Sequence, residues 1–455
     1  MRYPRLTSLA VALLTAWPVF AQAQAGADVL KELEALKARI TELEKKLQDA
    51  QPKPGQWGMT PEQAAEFNRI SVKTEALEDN MEASGLKGLV ISGYADPTYI
   101  FNKRQNRAGF QFLNRVDDDG YNYDNSYFGA AVIDFQKEME GGTKWRLTLA
   151  PNRGVGAVVD GSSPVHEASV SIPLTDLQTR LIAGQIPDWS GYEYLPATQN
   201  PLITHNLLFD FTLPTAYTGA GIELTSGKWV TKAVLANMNG TRRQQGEKTP
   251  VVAYRADYSR GEFQGFGLAG VHGKASNFRS DDTNPITGDA YDTADTAVNL
   301  LEVDGYFIRG DWTVQGQVSF GQQKKAAITA DPVTGELRDS RWWGASGLVA
   351  YNFDPRFKGI ARLDYINNKK NGGGLLGYTF ADDRNGIGPD PAGDPEKGAN
   401  RMALSLGASY LFNASTTFKA EYRIDRADLP VFVDVKSGDF SKTNQLFGLS
   451  AVVAF

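Results

Sequence analysis

The last eleven residues of the chain alternate with a period of two. Phe447, Leu449, Ala451, Val453 and the terminal Phe455 take every second position, so a strand puts all five on one face. Leu446, Gly448, Ser450, Val452 and Ala454 occupy the other face, which is small or weakly apolar and suits a lumen or packed interior better than lipid. The segment reads as a membrane-spanning β-strand, and this one pattern constrains compartment and fold class together.

The front of the chain agrees with export. Arg2 and Arg5 precede an apolar run from Leu9 to Phe20, followed by small residues at Ala21, Ala23 and Ala25, so residues 1–25 read as a signal peptide. The chain has no Cys, which excludes disulfides, thiolate metal sites and a lipoprotein anchor. Beyond residue 25 no apolar stretch reaches the roughly 18 residues that a membrane helix needs. The 46 glycines, the 11% aromatic content and a hydrophobic fraction of only 42% suit strands with one apolar and one polar face.

Two helical segments precede the strands. In residues 26–50, Leu33, Ile40 and Leu47 occupy a positions and Val29, Leu36 and Leu43 occupy d positions of a coiled coil of about three heptads. Residues 51–60 hold two prolines and two glycines and form a linker. A second helix spans 61–85, opened by Thr60 as N-cap, Pro61 at N1 and Gln63 at N3.

From residue 86 to the C-terminus, sixteen candidate strands alternate with connections. The connections alternate as well: Glu138–Gly142, Thr175–Asp176, Ser226, Gly261, Gly310, Asp354–Pro355 and Asn413 are short, whereas 102–124, 187–214, 274–296, 323–340 and 369–399 are long. Short periplasmic turns and long extracellular loops give this rhythm, and an even strand count returns both barrel ends to the periplasm. The fold expected is an all-β transmembrane barrel of sixteen antiparallel strands behind an α-helical coiled coil. The segment His205–Leu213 would make the count odd as a strand and is assigned to a loop.

Charges cannot face lipid at the midplane without costing about 2 to 4 kcal/mol each, so charged faces point inward. This alternation makes Lys144, Arg146, Arg180, Arg255, Arg356, Lys358, Arg362, Arg401, Lys419 and Arg423 candidate pore-lining cations, against Asp134, Asp257, Glu302, Asp304, Asp364, Glu421 and Asp425. A polar, wet lumen with a small basic excess favours anions weakly, carboxylates among them. Pairing of these same charges across neighbouring strands is the bland alternative. The long connection 187–214 holds Asp188, Tyr192, Glu193, Tyr194 and Asp210 among prolines and aromatics, and is the candidate constriction loop.

The chain resembles trimeric bacterial outer-membrane porins that carry an N-terminal periplasmic coiled coil, including those that take up dicarboxylates. The resemblance rests on the signal, heptads, sixteen strands and terminal Phe455, and its motifs are architectural rather than substrate-specific. It implies that Phe455 is part of the signal read by the barrel assembly machinery. It implies that Arg39, Ile40 and Glu44, set among Leu33, Leu36, Leu43 and Leu47, follow a short arginine–glutamate motif favouring a homotrimer. It also implies contact with outer-membrane lipid and lipopolysaccharide, passive transport of small anionic solutes, and a third loop folded into the lumen, although an external packed loop fits the sequence equally well.

An enzyme is not expected, because His166, His205 and His272 lie in no nucleophile or metal motif, and no cofactor or metal is expected. Nucleic-acid binding has no basic stripe to support it at a pI of about 5.4. A barrel-anchored structural or adhesive protein without an open pore is the alternative.

Overall fold

The computed structural model describes residues 37–42, 45, 61–113, 128–151, 163–238, 250–261, 263–277, 279, 282–291, 293–376 and 380–455. The signal peptide, the linker 51–60 and, of the heptad residues, Leu33, Leu36, Leu43, Glu44 and Leu47 lie outside the described residues; Arg39 and Ile40 fall in a described helical stretch, 37–42. Helix α1, Pro61–Ala83, begins where the capping pattern placed it. Its described side chains are exposed along most of its length.

Eighteen strand segments form sixteen staves of one closed antiparallel sheet. Stave β1 comprises Leu89–Ala95 and Thr98–Asn102, and β2 comprises Arg107–Gln111 and Ala131–Glu138. They are followed by β3 (Lys144–Leu149), β4 (Val165–Pro173), β5 (Thr179–Pro187), β6 (Ala216–Ser226), β7 (Trp229–Met238) and β8 (Val251–Ser259). The second half holds β9 (Gln264–Ser276), β10 (Asp295–Arg309), β11 (Trp312–Gln323), β12 (Ser340–Asn352), β13 (Phe357–Asn367), β14 (Arg401–Asn413), β15 (Thr416–Ala427) and β16 (Thr443–Ala454). Each stave pairs with its sequence neighbours, and β16 closes the cylinder on β1 through Tyr94↔Ala454 and Thr98↔Ser450. Closure leaves no open edge, which is the condition for placing a sheet in hydrocarbon.

Two-residue hairpins at the short-turn end fix the register. Gly227 and Gly310, at φ 60° and 59°, take the first central position that such tight turns reserve for glycine. The terminal Phe455 adds a last rung, its N–H donating to Gly93 O at 3.0 Å and its O accepting from Gly93 N at 3.1 Å.

The outward face is apolar, with Leu235, Leu301, Val303, Phe320, Leu363, Leu406 and Leu449 all exposed. Aromatic clusters rim the short-turn end: Trp229 with Tyr258 and Phe266 at 4.9 and 5.8 Å between ring centroids, and Trp312 with Tyr351 at 4.7 Å. Trp343 and Tyr365, 5.2 Å apart, lie toward the other rim. An apolar belt between aromatic girdles is the surface a bilayer demands.

The first hairpin differs from the sequence reading. The chain turns at once through Lys103–Asn106, returns along β1 to Gln111, leaves the wall, and rejoins it at Ala131. The long connection is therefore an excursion within a stave, not a loop at its tip. Asp96-Pro97 explains the break, because Pro97 has no N–H to give the ladder and the buried Asp96 carboxylate accepts from Ala130 N at 2.7 Å and Gly129 N at 3.1 Å. Asp96→Ala should leave both buried N–H groups without this acceptor and destabilise the barrel by about 2 kcal/mol, read as a lower temperature for the heat-induced shift in gel mobility.

Candidate functional site

The loop joining β5 to β6, residues 188–215, folds into the barrel; it is called L3 below. Helix α2, Leu207–Phe211, forms its centre, with Asn206 as N-cap accepting from Leu208 N and Phe209 N, both at 2.9 Å. Leu207, Leu208 and Phe211 are fully buried in one apolar cluster with inward-facing Val234, Ala236, Val251, Val271, Val298, Leu300, Trp342 and Ile366, and the helix itself lies against β12 and β13. Burial of each such side chain contributes about 2 kcal/mol. The lumen is thus not uniformly polar and wet as the alternation suggested: away from the short turns, β7 to β10 present apolar residues inward, and L3 joins them in one cluster.

From β13 and β15 L3 is held by charge. Arg362 on β13 has no exposed surface; it donates to Glu193 Oε1 at 2.8 Å, Thr204 O at 2.6 Å, His205 O at 2.7 Å and Asp364 Oδ2 at 3.2 Å. Arg423 on β15 reaches Thr204 Oγ1 and His205 O at 3.0 and 2.7 Å and its own strand's Asp425 at 3.1 Å. Between them Glu421 accepts from Ile203 N and Thr204 N, both at 2.8 Å, and from Thr204 Oγ1 at 2.6 Å. Lys419 donates to the carbonyls of Ala197 and Asn200. Tyr192 meets Ser346 at 2.6 Å, and Glu193 accepts from Asn206 N at 2.5 Å.

Arg401 pairs with Asp425 at 2.8 Å and lies against the rings of Phe211 and Phe432, at 4.9 and 5.4 Å to their centroids. Four of the ten sequence-chosen cations, Arg362, Arg401, Lys419 and Arg423, therefore grip L3 or neighbouring loop residues. Deleting one partner of so buried a network leaves another charge without compensation, a loss of about 3 to 5 kcal/mol.

The remaining cations are distributed differently. Arg146 bridges Asp134 at 2.9 Å and Glu167 at 3.1 Å, and Arg255 bridges Asp257 at 2.8 Å and Asp304 at 2.7 Å. Among the described residues Arg180 bonds only neutral groups, Ser171 Oγ at 2.6 Å, the Gly142 carbonyl at 2.7 Å and the Ser171 carbonyl at 2.9 Å. Lys144 sits half-exposed at a strand end, 3.6 Å from Glu138, and Lys358 is half-buried. Arg356 is exposed in the turn before β13 and stands outside the lumen wall.

Of the L3 residues singled out, Asp188 accepts from Ser190 N at 2.9 Å and Tyr217 Oη at 2.5 Å, the Tyr194 carbonyl contacts His205 Nε2 at 2.9 Å, and Asp210 is buried on α2. Sequence reasoning missed Lys232. It is buried with its Nζ 4.8 Å over the Trp189 ring, on a strand whose other inward residues, Val230, Val234 and Ala236, are apolar. Cross-strand register sets Arg180, Glu223 and Lys232 side by side on β5, β6 and β7, and neither Glu223 nor Lys232 makes an ion pair among the described residues.

In fold, the chain is similar to the in-vitro folded OmpT, an outer membrane protein of Vibrio cholerae, at 11% identity over 81% of this chain and 97% of that one, with a TM-score of 0.50. It is likewise similar to an anion-selective porin from Comamonas acidovorans, at 10% identity over 81% and 99% of the two chains, with a TM-score of 0.51. Identities this low speak for the barrel fold alone. No curated protein matches the sequence. The family described as "Protein of unknown function (DUF3138)" matches residues 59–455, and the chain belongs to it.

Proposed function

We propose that the protein is a passive diffusion channel of the bacterial outer membrane, narrowed by L3 and open to small hydrophilic solutes with a weak preference for anions such as carboxylates. The observation that carries this reading is L3 itself, a loop drawn inside a closed barrel and fixed to one wall. Fixed there, it leaves the inner surface of β3 to β6 as the side along which a solute would pass. The apolar belt and girdles support membrane insertion, and the signal segment supports export to the outer membrane. In this reading the coiled coil of 26–50 holds a homotrimer in the periplasm, and Phe455 addresses the assembly machinery.

The weak anion preference rests on which charges remain available rather than on their total. Arg146 and Arg255 are neutralised by carboxylates, and the L3-side cations are committed to the loop. Arg180, Glu223 and Lys232 remain, two cations flanking one carboxylate across three adjacent staves. Within that trio the cations exceed the carboxylate by one, whereas Arg146 and Arg255 each face two carboxylates, so the bias toward anions is local to the trio and modest.

One observation favours a second reading, a barrel-anchored structural or adhesive protein without an open pore. Leu375, Leu376 and Ile387 from the loop between β13 and β14 join the same inner apolar cluster as α2, adding a second element to the barrel's filling.

Planar-bilayer recording of the purified mature chain separates the two. Conductance steps with an anion-selective reversal potential in a salt gradient support the channel, and insertion without conductance sinks it. In the double variant Arg180→Gln/Lys232→Gln, an anion-to-cation permeability ratio of about 2 should fall to about 1 or below. Glu421→Ala should release the Ile203-Thr204 backbone, raise conductance and current noise together, and lower barrel stability by about 3 kcal/mol.

A further inference from the structure

Glu223, on β6, stands between two cations in register: its cross-strand partners are Arg180 on β5 and Lys232 on β7. The three side chains share the inner face, with 7%, 6% and 7% of the surface of Arg180, Glu223 and Lys232 exposed. Cross-strand partners hold their Cβ atoms about 5 Å apart, within reach of a direct ion pair for side chains of this length. Yet neither Glu223 nor Lys232 makes a hydrogen bond or an ion pair among the described residues.

The neighbouring charges are already engaged. Arg255, the other register partner of Lys232, pairs with Asp257 at 2.8 Å and Asp304 at 2.7 Å, and Glu167 on β4 pairs with Arg146 at 3.1 Å. Arg180 is held by Ser171 and the Gly142 carbonyl, so it adds positive field beside Glu223 without closing on it. Lys232 Nζ lies over the Trp189 ring of L3, 4.8 Å from the centroid, a contact that orients the ammonium but brings no counter-charge.

A buried cation and a buried carboxylate, each without compensation, are both costly. An anionic solute would compensate Lys232 and be repelled by Glu223; a cationic one would compensate Glu223 and be repelled by Lys232 and Arg180. A solute that carries both charges a few atoms apart compensates the two groups together.

We propose that Glu223 and Lys232 form a subsite for small zwitterions of the α-amino acid class, the solute's ammonium lying on Glu223 and its carboxylate on Lys232. A single carbon separates the two charged groups of such a solute, which suits side chains from directly opposed residues of adjacent staves. The inference rests on the lumen beside L3 being open to solutes, and it names the solute class that this side of the lumen selects.

Isothermal titration calorimetry of the full mature chain in detergent near neutral pH tests it, with L-alanine, propionate and ethylammonium as probes. L-alanine should bind saturably and at least about tenfold more tightly than propionate or ethylammonium, because either half leaves one buried charge uncompensated. Glu223→Gln should weaken L-alanine about tenfold and strengthen propionate, whereas Lys232→Gln should weaken L-alanine as much and strengthen ethylammonium. The two opposite gains are a signature that a damaged fold does not produce. L-alanine bound no more tightly than its halves, or variants that leave its binding unchanged or lose it without these gains, overturns the subsite. The expected binding pattern in a protein that conducts no ions in a planar bilayer would end the channel reading and leave the subsite standing; conductance without preference for L-alanine would do the reverse.

Discussion

Folding a loop inside a barrel is a hydrogen-bonding problem before it is a permeability problem. The L3 backbone gives up water along much of its length, and each N–H and C=O left without a partner would cost about 1 to 3 kcal/mol. The wall solves this with long charged side chains from β13 and β15. Glu421 takes the two N–H groups of Ile203 and Thr204, and Arg362 and Arg423 take the carbonyls of Thr204 and His205. Lys419 takes two further carbonyls upstream. These charges satisfy backbone, so the position of L3 depends on them, and so does the shape of whatever space remains.

Most of the fold was legible because its rules are local. The two-residue period that singled out Phe447 to Phe455 reappears in the alternating burial of β7 and β16, and short turns alternating with long loops fixed the strand count. The first hairpin was misread because Lys103–Asn106 turns without a Gly, while the mid-stave excursion after Gln111 carries the loop-like composition that drew the boundary away. Prolines and aromatics marked L3 as a loop that packs, but not on which wall or inside the barrel. Thr204 and Glu421 are 217 positions apart, and period-two reasoning assigns Glu421 only to a face, not to a partner.

The cation tally shows where face assignment stops. Alternation separates inward from outward, yet Arg362 and Arg180 are equally inward and differ entirely in company: one is enclosed by L3, the other bonds a serine and a turn carbonyl. Lys232 escaped notice because its strand's inner face otherwise reads as core. The segment Asn371-Gly372-Gly373-Gly374 is a similar case. All four residues have positive φ, from 54° to 130°, and a side chain at Gly374 would meet the Ala326 carbonyl at 2.8 Å. Those glycines let the β13–β14 loop pack closely on the β11–β12 loop, which brings Leu375 and Leu376 inward.

The two inner surfaces of L3 therefore behave as different kinds of contact. The apolar packing of α2 is non-directional and tolerates small displacement, whereas the guanidinium and carboxylate contacts at Thr204 and His205 have fixed geometry and lose most of their value once stretched. Motion of the loop, if it widens the lumen, should accordingly begin at its base near Asp188–Tyr192 and at the α2 packing, with residues 203–205 as the fixed point.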